Sequence, residues 1–287
     1  MIALSELRAQ AQSLARQLPG LSMQAAAADV IHPGAAGRRR AGTGEQFWQY
    51  RHYAQTDAAD RIDWRRSARG HDYFVRETEL ETARTILFWC DPAAGFDWAG
   101  AAPRDHKADR ARVLMLANAI NLAKSGERIG MLTQGRAASL GTTAADKLAE
   151  DFLDSTPRDL SPPRAEAIAI IASDFYDPIP EWQARLAPLA ARCRHGVLLV
   201  VSDPVEHEFP WSGRTRFSRP GSEKTRTFGR AETVRTEYIA RLEAHQKAMD
   251  DLAARMGWAL VRHRTDNQAL RGAAALQIAL EGFGSKA

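Results

Sequence analysis

Three apolar runs in this chain end on an aspartate. Thr85-Ile86-Leu87-Phe88-Trp89-Cys90 leads to Asp91, Ala167 to Ala172 leads to Ser173-Asp174, and Gly196 to Val201 leads to Ser202-Asp203. Carboxylates at the carboxyl ends of parallel strands gather along one sheet edge, where open α/β sheets bind their ligands. Oxygen donors of that kind suit a hard cation such as Mg²⁺. The chemistry this would allow is divalent-metal-dependent hydrolysis, including nuclease action, by Asp91, Asp174 and Asp203. Against that stands Pro204, which makes Asp203 read as a turn or cap residue.

Other catalytic patterns are missing from the sequence. It has no Gly-x-Ser-x-Gly elbow, no Gly-x-x-x-x-Gly-Lys-Ser/Thr loop and no His-Glu-x-x-His. Gly42-Thr43-Gly44 is too short to cradle a phosphate and lacks the lysine. His52 and His71 read as surface or packing residues. Cys90 and Cys193 are the only cysteines, which argues for a reducing compartment and against a disulfide framework.

The elements that must position the aspartates follow from periodicity. Continuous apolar runs that alternate with long helical stretches signal parallel strands buried on both faces. Strands are expected at Thr85–Cys90, Arg128–Thr133, Ala167–Ala172, Gly196–Val201 and Trp258–His263. A short extra strand at Ala137–Leu140 would pair with the second. Helices are expected over Lys107–Lys124, from Thr142 or Thr143 to Leu153, and over Pro180–Arg192, Glu232–Met256 and Asn267–Glu281. Gly126 suits the C-terminal cap of the first of these. The polar segment Glu206–Gly229 reads as a hairpin. The order is that of a doubly wound, mainly parallel α/β sheet with flanking helices. At the N-terminus Leu4, Leu7, Ala11, Leu14 and Leu18 make an amphipathic helix, capped by Ser5 and stopped by Pro19-Gly20. Packing onto the rest of the domain is the better expectation for it than meeting a partner.

Composition sets outer bounds. Hydrophobic residues make up 45% and charged residues 26%, ordinary for a soluble globular protein. The net charge is +4. No apolar run approaches the ~18–20 residues of a membrane span, and residues 1–21 do not read as a signal peptide. The cytoplasm is the expected location.

One stretch, Gly37 to Glu81, is dense in charge and aromatics together. It holds nine arginines, eight carboxylates and seven aromatic residues. Near-equal charge favours an internal ion-pair network over a nucleic-acid site, which would show uncompensated positive charge. Arg38-Arg39-Arg40 reads as a solvated loop. Short irregular elements are expected through residues 47–68, with a strand at Asp72–Glu77. Phe47, Tyr53 and Trp64 read as packing anchors.

The register of that stretch resembles a known family. Gly44-Glu45, Phe47, Arg51, Tyr53, Asp57, Arg61-Ile62-Asp63-Trp64, Ala68-Arg69 and Val75-Arg76-Glu77 are similar to the signature of the domain-of-unknown-function 58 family. Where that family usually has Pro-Gly-Asp, this chain has Gln55-Thr56-Asp57. The resemblance implies a bacterial protein whose second half is von Willebrand A-like, with a MoxR-type AAA+ ATPase as partner. It divides the chain into an N-terminal helix and connector (1–33), the signature segment (34–82) and the α/β domain (83–287). Arg51, Tyr53, Asp57, Arg61, Asp63, Trp64, Arg69 and Arg76 are then its signature or interaction residues.

A von Willebrand A domain holds a metal through D-x-S-x-S after its first strand, a threonine from a later loop and another strand-terminal aspartate. Asp91 matches the first aspartate, Thr142 (or Thr143) lies roughly where the threonine would come, and Asp174 matches the last aspartate. Ala93 and Gly95 stand where the hydroxyls should be. The expectation is a degenerate, vestigial Mg²⁺ site. The leading expectation for function is a non-enzymatic protein-interaction module, partner or adaptor of a MoxR-type AAA+ ATPase. The alternative is the metal-dependent hydrolase or nuclease.

Overall fold

The computed structural model describes residues 2–19, 41–54, 62–68, 72–79, 83–101, 103–135, 137–154, 159–218, 220–221 and 223–283. The chain divides into two compact units, Gln24–Ala83 and a larger one made of Met1–Met23 with Arg84–Lys286. In chain order the elements begin with α1 (Leu4–Gln17), β1 (Ala41–His52), α2 (Trp64–Ser67), β2 (Phe74–Glu79), β3 (Thr85–Cys90), α3 (Lys107–Lys124), β4 (Arg128–Met131) and α4 (Thr142–Leu153). They continue with β5 (Ala167–Ser173), α5 (Ile179–Ala190), β6 (Cys193–Ser202), α6 (Pro204–Glu208), β7 (Thr215–Ser218), β8 (Thr225–Phe228), α7 (Arg235–Met256), β9 (Ala259–Arg264) and α8 (Ala269–Glu281).

The larger unit is built on a five-stranded, all-parallel sheet of order β4-β3-β5-β6-β9. In the central strands β3 and β5, and in β6 from Val197 on, both phases are largely apolar because both faces are covered, whereas the edge strand β9 ends in Arg262-His263-Arg264. Ile86, Phe88, Ile168, Ile170, Val197 and Leu199 pack with residues of α1, α3, α4 and α8. Leu87, Trp89, Ala169, Ile171 and Leu198 pack with residues of α5 and α7 on the other side. That two-sided burial is why the strands read as unbroken apolar runs. The chain goes from β3 outward to β4 and then back to β5 on the opposite side of β3. The order therefore reverses between β3 and β5.

α1 belongs to this unit. Leu7, Ala11, Leu14 and Ala15 are buried on it, and its Ala15 carbonyl accepts a hydrogen bond from Asn121 Nδ2 at 3.1 Å. Its N-cap is Ala3, and Ser5 makes no cap hydrogen bond. Among the described residues, no helix is long and apolar enough to cross a membrane.

In the smaller unit β1 and β2 pair antiparallel. β1 runs for 12 residues where short irregular elements were expected. The register shifts between Gly42 and Phe47 and again between Phe47 and Gln49. Each irregularity breaks the period-two pattern, so the sequence alternates poorly although the backbone is extended. The stretch Ala137–Leu140 contributes a single antiparallel bridge, Ile129 to Ser139, instead of a strand.

Candidate functional site

The switch point between β3 and β5 places Asp91 and Asp174 at one edge of the sheet. The Asp91 N–H donates to the Ala172 carbonyl at 2.9 Å, continuing the strand pairing one residue past β3. Its side chain is buried and fully engaged. Oδ2 accepts from Ser173 Oγ at 2.6 Å and Oδ1 from the Ala93 N–H at 2.8 Å. Burial pushes the Asp91 carboxyl above its ordinary range, opposed by those two hydrogen bonds.

The dominant cation at this edge comes from the chain itself. Lys107, the first residue of α3, is only 1% exposed. Its ammonium donates to Asp174 Oδ2 at 2.8 Å and to Glu206 Oε1 at 2.6 Å. The rings of Trp98 and Tyr176 flank it, with centroids 5.6 and 5.2 Å away, within cation–π range. Backbone bonds fix its approach. Lys107 N–H donates to the Trp98 carbonyl at 2.9 Å and Ala108 N–H to the Phe96 carbonyl at 3.1 Å.

Around this ammonium the remaining polar groups close into a network. Glu206 Oε2 accepts from the Asp203 N–H at 2.8 Å and from the Tyr176 hydroxyl at 3.2 Å. Burial holds the Glu206 carboxyl above its ordinary range even beside Lys107. Tyr238 donates to the Glu206 carbonyl at 2.8 Å. Burial, with Glu206 nearby, raises both tyrosines, Tyr238 to about 12. Asp203 is the N-cap of α6 and forms a capping box with Glu206. Arg104 Nη1 donates to its Oδ1 at 2.8 Å, and the Gly100 N–H to its Oδ2 at 3.0 Å. A Cβ at Gly100 would meet Asp203 Oδ1 at 2.6 Å, so glycine is required there.

Thr142 does not join this group. The bridge from Ile129 to Ser139 turns the chain back antiparallel to β4, so α4 starts at the opposite end of the sheet. Thr142 lines a cavity of about 320 Å³ with Lys124, at the far end of α3 from Lys107. Eighteen residues of helix separate those ends by ~25 Å. Its helix is capped by Gly141 (φ 83°), and no threonine side chain caps it. The donor set of an adhesion-type metal site therefore does not form. Two hydroxyl positions are Ala93 and Gly95, the threonine is remote, and Asp174 already faces an ammonium.

A second set of ligand-type side chains escaped sequence reasoning. One ligand atom each from Asp97, His106 and Asp109 lies within 4.8 Å of the others. Their charges are locally matched: His106 Nδ1 meets Asp97 Oδ1 at 2.8 Å, and Arg112 Nη1 donates to Asp109 Oδ1 at 2.7 Å. Neither cysteine is a nucleophile in this setting. Burial pushes the Cys90 thiol to about 12 and Cys193 to about 11.

The signature residues sit in the smaller unit. Asp63 is the N-cap of α2, its Oδ1 accepting from the Arg65 and Arg66 N–H groups at 3.1 and 3.0 Å. Tyr50 donates to Asp63 Oδ2 at 3.2 Å, and the Arg66 guanidinium lies 4.2 Å from the Tyr50 ring centre. The Tyr53 N–H donates to the Tyr73 carbonyl at 2.8 Å. Trp64 is not a buried anchor: it is 60% exposed and meets Tyr73 edge-on at 5.9 Å. Arg51 and Arg76 lie on β1 and β2, but their side chains, with that of Phe47, are outside the described part. Arg38, Arg39, Arg40, Asp57, Arg61, Arg69 and His71 lie outside the described residues.

The family described as "Protein of unknown function DUF58" matches residues 49–248. The chain belongs to that family. The match runs from β1 into α7 and so takes in both units and the whole Lys107 network. Comparison with curated proteins and with solved structures returned no match.

Two predictions follow from the geometry of this DUF58 protein. Lys107→Met removes the cation and leaves Asp174 and Glu206 without their shared partner. Breaking a buried pair this way costs about 3–5 kcal/mol. Urea unfolding reads the loss, and a change below ~1 kcal/mol, the scale of exposed pairs, would mean the ammonium is not paired as described. The second concerns pH. A carboxyl raised in the folded state adds stability below its ordinary range and loses it as pH rises through the raised value. Wild-type stability should therefore fall, as pH rises above the ordinary aspartate range near ~4, more steeply than that of Asp91→Asn. Parallel pH profiles would contradict the raised Asp91.

Proposed function

We propose that the larger unit is a von Willebrand A-like domain whose metal position has been taken over by Lys107, and that the protein is a non-enzymatic interaction module. Its partner would be a MoxR-type AAA+ ATPase, with this chain as adaptor or substrate-presenting subunit. The observation that carries the reading is the Lys107 ammonium between Asp174 and Glu206 at the sheet's switch point. Ligands of open α/β sheets bind there, and here the edge is closed by the chain's own charges. The signature's resemblance supports the partner class. Free thiols at Cys90 and Cys193 suit work in the reducing cytoplasm.

The hydrolase alternative is weaker on the same geometry. Asp91, Asp174 and Asp203 each have both carboxylate oxygens engaged by internal donors. A general base or metal ligand must release those bonds first.

Purified protein and the MoxR-type ATPase from the same organism are expected to form a complex on size exclusion, and the complex to alter ATP turnover. Absence of a complex with and without nucleotide would sink the partner assignment. Mn²⁺-dependent phosphodiester hydrolysis abolished by Asp174→Asn would instead restore the enzyme reading.

A further inference from the structure

The hairpin β7–β8 and the segments on either side of it are rich in arginine. Between Gly213 and Glu237 seven arginines and lysines stand against three glutamates, a surplus equal to the chain's whole net charge of +4. Arg214, Arg216, Arg226, Arg230 and Arg235 are all exposed, and none has an ion-pair partner among the described residues. The nearby acids are used elsewhere or stand apart: Glu237 pairs with Arg241, and Glu232 accepts from the Gly213 N–H at 2.7 Å.

The hairpin is held as a platform. Phe217 and Phe228 share one face of it, since Phe217 is opposite Arg226 and Thr215 opposite Phe228. That face carries an aromatic stem. Phe217 lies 5.8 Å from Phe209 and 5.2 Å from Trp211, and Phe209 lies 5.1 Å from Tyr238. Tyr238 in turn donates to the Glu206 carbonyl, so the stem is tied to the Lys107 network. At the turn, a Cβ on Gly221 (φ 74°) would lie 3.0 Å from the Ala94 Cβ. The tip thus rests on the loop that follows Asp91. The opposite face, with Arg216, Ser218, Thr225 and Thr227, is exposed.

We infer that this hairpin is a docking surface for an acidic face of a partner protein. The inference rests on the reading that the protein works through a protein partner, though not on that partner being an ATPase. Arginine and aromatic residues together are the composition of interface hot spots, where lysine is depleted. Five exposed arginines beside a half-buried Trp211 fit that composition. Glu223, Glu232 and Glu237 lie among them in sequence. A protein face with discrete carboxylates accommodates such acids, whereas duplex DNA presents one negative charge per ~1.7 Å. The aromatic stem fixes the hairpin backbone that carries Arg216 and Arg226, the latter lying 4.8 Å from the Phe228 ring centre, which lowers the entropy cost of binding.

The test uses the full chain, a labelled peptide of Asp, Glu and Leu, and a short labelled DNA duplex. The hairpin variant is Arg214→Glu with Arg216→Glu and Arg230→Glu. The control variant is Arg16→Glu with Lys124→Glu, at the opposite end of the sheet, and urea unfolding checks that both variants fold as wild type. Fluorescence anisotropy is expected to show peptide binding that weakens with salt, drops at least about tenfold in the hairpin variant and is unchanged in the control. No binding, equal loss in both variants, or tighter hairpin-dependent binding to the duplex would overturn the inference. The ATPase separates the two claims. If it binds wild type and hairpin variant alike, the docking surface falls alone. If it binds neither while the peptide result holds, the ATPase assignment falls alone.

Discussion

An ammonium buried against two carboxylates at the carboxyl edge of a parallel sheet is the constraint on which the larger unit depends. Lys107 is 1% exposed, and an ion of its size loses several kcal/mol of hydration on burial. Only close, hydrogen-bonded partners offset that cost. Asp174 arrives from the end of β5 and Glu206 from α6, so one side chain on α3 ties together three chain segments. Glu206 then closes the capping box with Asp203, and Asp203 fixes Arg104 and Gly100. The loop from Asp91 to His106 is thus held from both sides. Phe175, just after Asp174, accepts a positive φ of 55° within this network. Such strain in a bulky residue persists only where surrounding contacts over-determine it.

The same network accounts for the loop that follows Asp91. Here Ala93 and Gly95 offer no oxygen, Asp91 turns to Ser173 and a backbone N–H, and Asp174 turns to Lys107. A single ammonium brings one positive charge where a metal brings two. Among the described residues Asp91 has no ion-pair partner, and burial raises its carboxyl. The turn of the β7–β8 hairpin, at Gly221, lies against Ala94 of the same loop.

Much of the scaffold was legible in the sequence, for physical reasons that also mark where legibility ends. The central strands β3, β5 and β6 were readable because both faces are covered and their runs are almost wholly apolar. Asp203 was readable as a cap because Pro204 follows it. Thr142 was misplaced because sequence spacing does not show that the Ile129–Ser139 bridge sends the chain back to the other end of the sheet. Lys107 was invisible as a site residue: a lysine at the start of a helix, amid Asp105, Arg110 and Asp109, looks like any solvated charge. Only its partners, 67 and 99 residues away, make it a site. β1 was hidden by its bulges, and Trp64, expected to anchor, is exposed.

The most direct test of the central claim is Mn²⁺ titration calorimetry on the wild-type protein, with Asp174→Asn as comparison. If Lys107 fills the cation position, wild type gives no saturable heat that Asp174 controls. Saturable Mn²⁺ binding to wild type that disappears in Asp174→Asn would mean a metal displaces the ammonium, and would contradict the account.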